Sequence, residues 1–163
     1  MTATARTVAG TAVSGHGRPH MSYARGRTKM IGIGRTAELV RQLTHYEIDL
    51  VLDSGAHHGR FGRGLRRAGY RGRIVSFQPF GGPRAKVRRL AARDLEWSVL
   101  PYALGERDRQ WTRRLDGVWE DVVAPGERVL LQVDHVPELP EVLAGAGEFG
   151  DDLTLVRSGE VFA

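Results

Sequence analysis

The chain has 163 residues, 41% of them apolar, with 21 glycines and no cysteine. That length suits one domain with a moderate core, the missing cysteine excludes disulfides and thiolate metal sites, and no run approaches the 18 apolar residues of a membrane-spanning helix. The net charge of +5 conceals an uneven distribution: residues 54–93 hold eleven basic and no acidic residues, whereas 94–163 hold six basic and fifteen acidic.

Residues 1–30 are rich in Gly, Ala, Thr, Ser and Arg without periodicity, and read as a disordered basic tail ahead of an α/β domain over 31–163. His16 and His20 lie in a Gly/Pro coil that does not preorganise a metal site. The N-terminus lacks the apolar core of a signal peptide, which points to a soluble, cytoplasmic protein.

Thr36–Tyr46 is predicted as a helix, with Thr36 as its cap and Leu39, Val40 and Leu43 as its apolar stripe. Ile48–Asp53 reads as a buried strand and Phe61–Ala68 as a helix, left through the turn Gly69–Gly72. Arg73–Gln78 is a second strand, and Pro83 opens a helix that runs to about Ala92. Trp97–Tyr102 and Val129–Asp134 complete the set of predicted strands. Strands alternating with helices argue for a mostly parallel sheet covered on both faces. Right-handed crossovers then bring every strand C-terminus, and any ligand, to one edge.

That edge gathers the chemistry. The first strand ends in Asp53 and a loop with Gly55 and Gly59, where backbone can approach a ligand closely. Asp53 can hold loop amides or, through water, an ammonium group. Gln78 ends the second strand at the place where an acidic residue commonly grips ribose hydroxyls, and its amide can still accept and donate; it can equally cap the loop. Asp134 and His135 end the fourth strand, where a carboxylate beside an imidazole can orient or deprotonate a hydroxyl. His57 and His58 are adjacent and diverge in regular geometry, so no metal site is expected.

Three segments together resemble the FkbM-type family of S-adenosylmethionine-dependent methyltransferases: Val51-Leu52-Asp53-Ser54-Gly55-Ala56-His57-His58-Gly59, then Ile74-Val75-Ser76-Phe77-Gln78-Pro79, then Pro101-Tyr102-Ala103-Leu104-Gly105-Glu106. The resemblance spans about residues 36–145. It implies a Rossmann-like class I methyltransferase fold and methyl transfer from S-adenosylmethionine to a hydroxyl of a sugar or natural-product-like acceptor. Carried over by position, Asp53, Gly55, Ala56, His57 and Gly59 would cradle the methionine part. Gln78 would sit at the ribose, Tyr102, Ala103 and Leu104 near the adenine, and Asp134 at the edge of the substrate site; Asp134 or His135 would be the base.

The chain departs from the family pattern at His57, which replaces an asparagine, at Gln78, which replaces the ribose-binding glutamate, and at Gln132, which replaces a lysine. The connection at Asp108–Leu115 and the stretch after Gly145 are both short for that family, so a truncated sheet is expected. The alternative is a catalytically inactive methyltransferase-like remnant that acts as a binding protein, pairing with another copy through an exposed sheet edge. No aromatic residue alternates with the arginines in sequence, so nucleic acid is not the expected partner.

Overall fold

The four predicted apolar runs form four adjacent strands of a six-stranded sheet. The computed structural model describes residues 28–31 and 35–159. In chain order it contains β1 (Lys29–Ile31), α1 (Thr36–His45), β2 (Leu50–Ser54), α2 (Arg60–Arg67), β3 (Arg73–Phe77), α3 (Gly82–Ala91) and β4 (Trp97–Leu100). The short strands β5 (Ala103–Leu104) and β6 (Thr112–Arg113) follow, then α4 (Trp119–Val122), β7 (Val129–Val133), a 3-10 turn (Val136–Glu138), α5 (Leu139–Ala146), a second 3-10 segment (Gly147–Asp152) and β8 (Leu153–Ser158).

The sheet order is β1-β8-β7-β2-β3-β4, and every pairing in it is parallel. The expected α/β architecture with a parallel sheet and helices on both faces is therefore present. One face, led by Val51, Ile74, Leu130 and Leu155, packs against α1, α2 and α3 through Leu43, Leu65 and Val87. The other, led by Leu52, Phe77, Leu131 and Val133, packs against α4 and α5 through Trp119, Val122, Val142 and Ala146.

Several boundaries move. Thr36 is the first helical residue, not the cap; Arg35 holds that place and makes no side-chain capping bond. The strand predicted to reach Tyr102 stops at Leu100, and the chain turns into a separate two-stranded pair, β5 with β6. The stretch after Gly145, expected to be too brief for the last two or three strands of a full methyltransferase sheet, supplies one strand, β8, whose edge is then covered by β1 from the front of the chain. Lys29 and Met30, assigned to the tail, stand in that strand; the rest of the tail reading, His16 and His20 included, lies outside the described residues. No described helix is long and apolar enough to cross a membrane.

Gly145 sets how closely α5 approaches this framework. A Cβ there would stand 2.0 Å from the backbone oxygen of Gly105 at the end of β5. Only a residue without a side chain lets helix and strand meet at that separation.

Candidate functional site

Chain direction along the sheet reverses between β2 and β7. The path runs from β2 outward to β3 and β4, then returns to β7 and continues outward to β8 on the other side. A crevice outside the strand C-termini forms at such a switch point. Here it is a pocket of about 200 Å³ lined by Gly55, Ala56, His57, His58, Arg60, Phe61 and Asp134.

The turn from β2 into α2 builds one wall. Gly55 and Gly59 adopt positive φ of 87° and 74°. A Cβ on Gly55 would lie 3.3 Å from the Asp134 Cβ, so the two sides of the crevice nearly touch at its floor. Gly59 is the N-cap of α2, whose first N–H groups lack partners within the helix. His57 also takes a positive φ, 42°, which side-chain-bearing residues seldom adopt. Its backbone N–H donates to Gln78 Oε1 at 2.6 Å, tying the turn to the end of β3.

Asp134 forms the opposite wall. Its N–H donates to the Ser54 carbonyl, which pins the ends of β7 and β2 together. Its Oδ2 lies 3.8 Å from His57 Nε2 across the pocket. The carboxylate and the imidazole thus face each other across the crevice, beyond hydrogen-bond distance. His135, by contrast, is exposed and directs Nδ1 toward Glu138 Oε1, 3.6 Å away, outside the pocket lining.

Beneath the pocket a row of polar side chains crosses the sheet inside the core. Asp53 is in register with Ser76 on one side and Gln132 on the other, and Gln132 with Arg157. All four are buried. Trp97 Nε1 donates to Ser76 Oγ at 3.0 Å, and Ser76 Oγ donates to Asp53 Oδ2 at 2.9 Å. Arg157 Nη1 donates to Gln132 Oε1 at 2.5 Å, while Gln132 Nε2 donates to the Gly159 carbonyl. Asp53 Oδ1 is buried without a hydrogen-bond partner.

Burial dominates the electrostatics of this row. It pushes the Asp53 carboxyl up to about 7, against the Ser76 hydrogen bond and with a smaller push from the Asp134 charge. It pulls Arg157 down to about 10, which the Asp134 charge partly opposes. Arg157 therefore stays cationic at neutral pH, with its guanidinium 6.0 Å from the ring of Phe61 in the pocket wall.

The structure thus brings Gly55, Ala56, His57 and Asp134 into one pocket, with Gly59 at its helix cap and Gln78 bonded to its rim. Asp53 points into the core under the loop rather than into the crevice lining. Leu104 is buried in the core on the α4–α5 side, and Tyr102 packs beside it with its ring 5.8 Å from Phe77. Ala103 lies in β5. None of these three lines the pocket.

Sequence reasoning passed over Arg60 and Phe61 as lining residues, although position at a helix N-terminus was the available signal. It also missed Arg157, since an arginine ordinarily signals a solvated position. Among the described residues no group of three or more His, Asp or Glu is placed to hold a metal ion. No family model matches the chain, and no curated protein or solved structure is detectably similar to it.

Proposed function

We propose that the chain is an S-adenosylmethionine-dependent O-methyltransferase, with the switch-point pocket as the place where cofactor and acceptor meet. The observation that carries this reading is the glycine turn facing Asp134 and His57 across one crevice. The Gly55–Gly59 turn and the α2 N-terminus receive the methionine end of the cofactor. Ligand pockets usually measure about 300–1,000 Å³, so in this narrower one the nucleoside extends over the open mouth toward Gln78.

Methyl transfer is an in-line displacement at a sulfonium carbon, and alignment of the acceptor oxygen supplies much of the acceleration. The Asp134–His57 pair takes the hydroxyl proton as the oxygen attacks. The acceptor is a small hydroxyl-bearing molecule. Calorimetric titration with S-adenosylhomocysteine tests the first step: binding that weakens in Gly55→Val supports the reading, and no heat at millimolar ligand overturns it.

One observation favours the second reading, a catalytically inactive remnant. The Gln78 oxygen that would face a ribose already accepts the His57 N–H. In that case the chain works as a binding partner, and the edge of β4, which among the described residues pairs only with β3, joins a second copy. Gln78→Glu separates the two readings, because a carboxylate retains the bond to His57 and gains a charged oxygen for two hydroxyls. Tighter S-adenosylhomocysteine binding in that variant marks a weakened cofactor site. Absent binding, together with a dimer by light scattering that a proline in β4 abolishes, marks the remnant.

A further inference from the structure

We infer that the face carrying α2 and α3 binds single-stranded nucleic acid, with Phe80 and Trp111 as a stacking platform. These aromatics are 31 positions apart, yet their rings meet edge to face at 4.6 Å. Both face solvent: Phe80 is 62% exposed and Trp111 46%. The guanidinium of Arg84 lies 4.6 Å from the centre of the Phe80 ring. Arg84 has no carboxylate within salt-bridge distance among the described residues, and its buried Nε has no hydrogen-bond partner. Close by, the Arg113 guanidinium lies 5.8 Å from the Tyr102 ring.

Exposed cations stand on α3 and on its neighbour across the same side of the sheet, α2. Arg60, Arg63 and Arg67 on α2 and Lys86, Arg88 and Arg89 on α3 are exposed, and residues 54–93 contain no acid to neutralise them. Both helices lie on one side of the sheet. Cations that track a phosphate backbone, with aromatic faces on which bases stack, are the two ingredients of sequence-tolerant single-strand binding. The aromatic partners that the arginines lack along the sequence are thus delivered by the fold, since Trp111 reaches Phe80 from the β5–β6 connection. The platform adjoins the pocket through Gln78, two residues before Phe80, but binding here does not depend on methyl transfer.

The test uses the full chain and a fluorescein-labelled oligouridylate of about twelve nucleotides, a length within the usual single-strand site range, read by anisotropy. Binding is expected at about 50 mM salt and to weaken steeply toward 200 mM. Trp111→Ala and Phe80→Ala each lose about tenfold in affinity, whereas Trp111→Phe keeps most of it. Arg84→Gln lowers the salt slope by about one. The oligomer also quenches intrinsic fluorescence in the wild type but not in Trp111→Phe, because Trp97 and Trp119 are buried. Circular dichroism confirms that these surface variants fold. No binding at low salt overturns the inference. So does affinity indifferent to both aromatic changes, which assigns retention to general charge. Equal affinity for uridine monophosphate and the oligomer also overturns it, marking a small-molecule site.

Discussion

The two faces of the sheet are built from the same strands and solve different problems. Toward α4 and α5 the strands present Leu50, Leu52, Val75, Phe77, Leu131 and Val133, an apolar surface. Toward α2 and α3 the apolar pattern holds only in the lower half; near the strand C-termini it gives way to Ser76, Asp53, Gln132 and Arg157. The exteriors differ as well. Residues 54–93, which include α2 and α3, carry no acid, whereas residues 115–152, which include α4 and α5, carry ten acids and one arginine. The dry face secures the fold. The polar face forgoes some stability to hold charged groups beneath a pocket, which is where departures from apolar packing are expected in a functional protein.

Changes that convert one face toward the other test this contrast. The largest effect is expected at Asp53. Its folded pKa of about 7 lies above the ordinary 3.8, so between those values the unfolded chain is the more ionised and stability falls as pH rises. The loss amounts to about 4 kcal/mol by the linkage of protonation to folding, and it is complete above pH of about 8. Asp53→Asn keeps a neutral group in the row. Urea titrations across pH should find it close to wild type near pH 4 and more stable at alkaline pH; parallel profiles for the two proteins would refute the claim.

On the dry face, Gly145→Ala should cost about 3 kcal/mol, because the new methyl meets backbone that cannot turn aside. Chemical denaturation measures it, and a cost below about 1 kcal/mol would mean that α5 shifts freely. Ser76→Ala comes next, at about 2 kcal/mol, since it removes the shared partner of Asp53 Oδ2 and Trp97 Nε1 inside the core. Burial exposes neither atom to water, so no solvent bond replaces the loss. The smallest effect is expected outside: Arg41→Ala breaks an exposed pair with Glu38 and should change stability by less than about 0.5 kcal/mol. A larger change would show that exterior charge contributes to folding.

What could be read in the sequence follows the same division. Strands β2, β3, β4 and β7 were legible because short apolar runs bounded by polar ends identify parallel strands. Helices α1, α2 and α3 were legible from periodicity and from Pro83. The pocket turn was legible because Gly55 and Gly59 follow a strand directly. By contrast α5 is only eight residues long and contains Gly145, which weakens its periodic signal although Pro140 stands in its first turn as Pro83 does in α3. β8 carries Thr154 and Arg157, whose polarity hides a strand that is buried along most of its length. The roles of Tyr102, Ala103 and Leu104 rested on resemblance; Leu104 is buried in the core toward α4 and α5 with Tyr102 packed against that cluster, and Ala103 lies in β5. The Phe80–Trp111 pair has no local signal, because its two halves belong to separate loops.

The outermost pairing of the sheet carries a consequence for how the protein is made. β1 lies against β8, and Thr28 donates to the Gly150 carbonyl across 122 residues of sequence. During synthesis at about 5–20 residues per second, the first of these strands leaves the ribosome many seconds before its neighbour exists. The inner strands can assemble in the meantime. The leading segment must wait, and its docking is then a late, non-local step of the kind that slows folding.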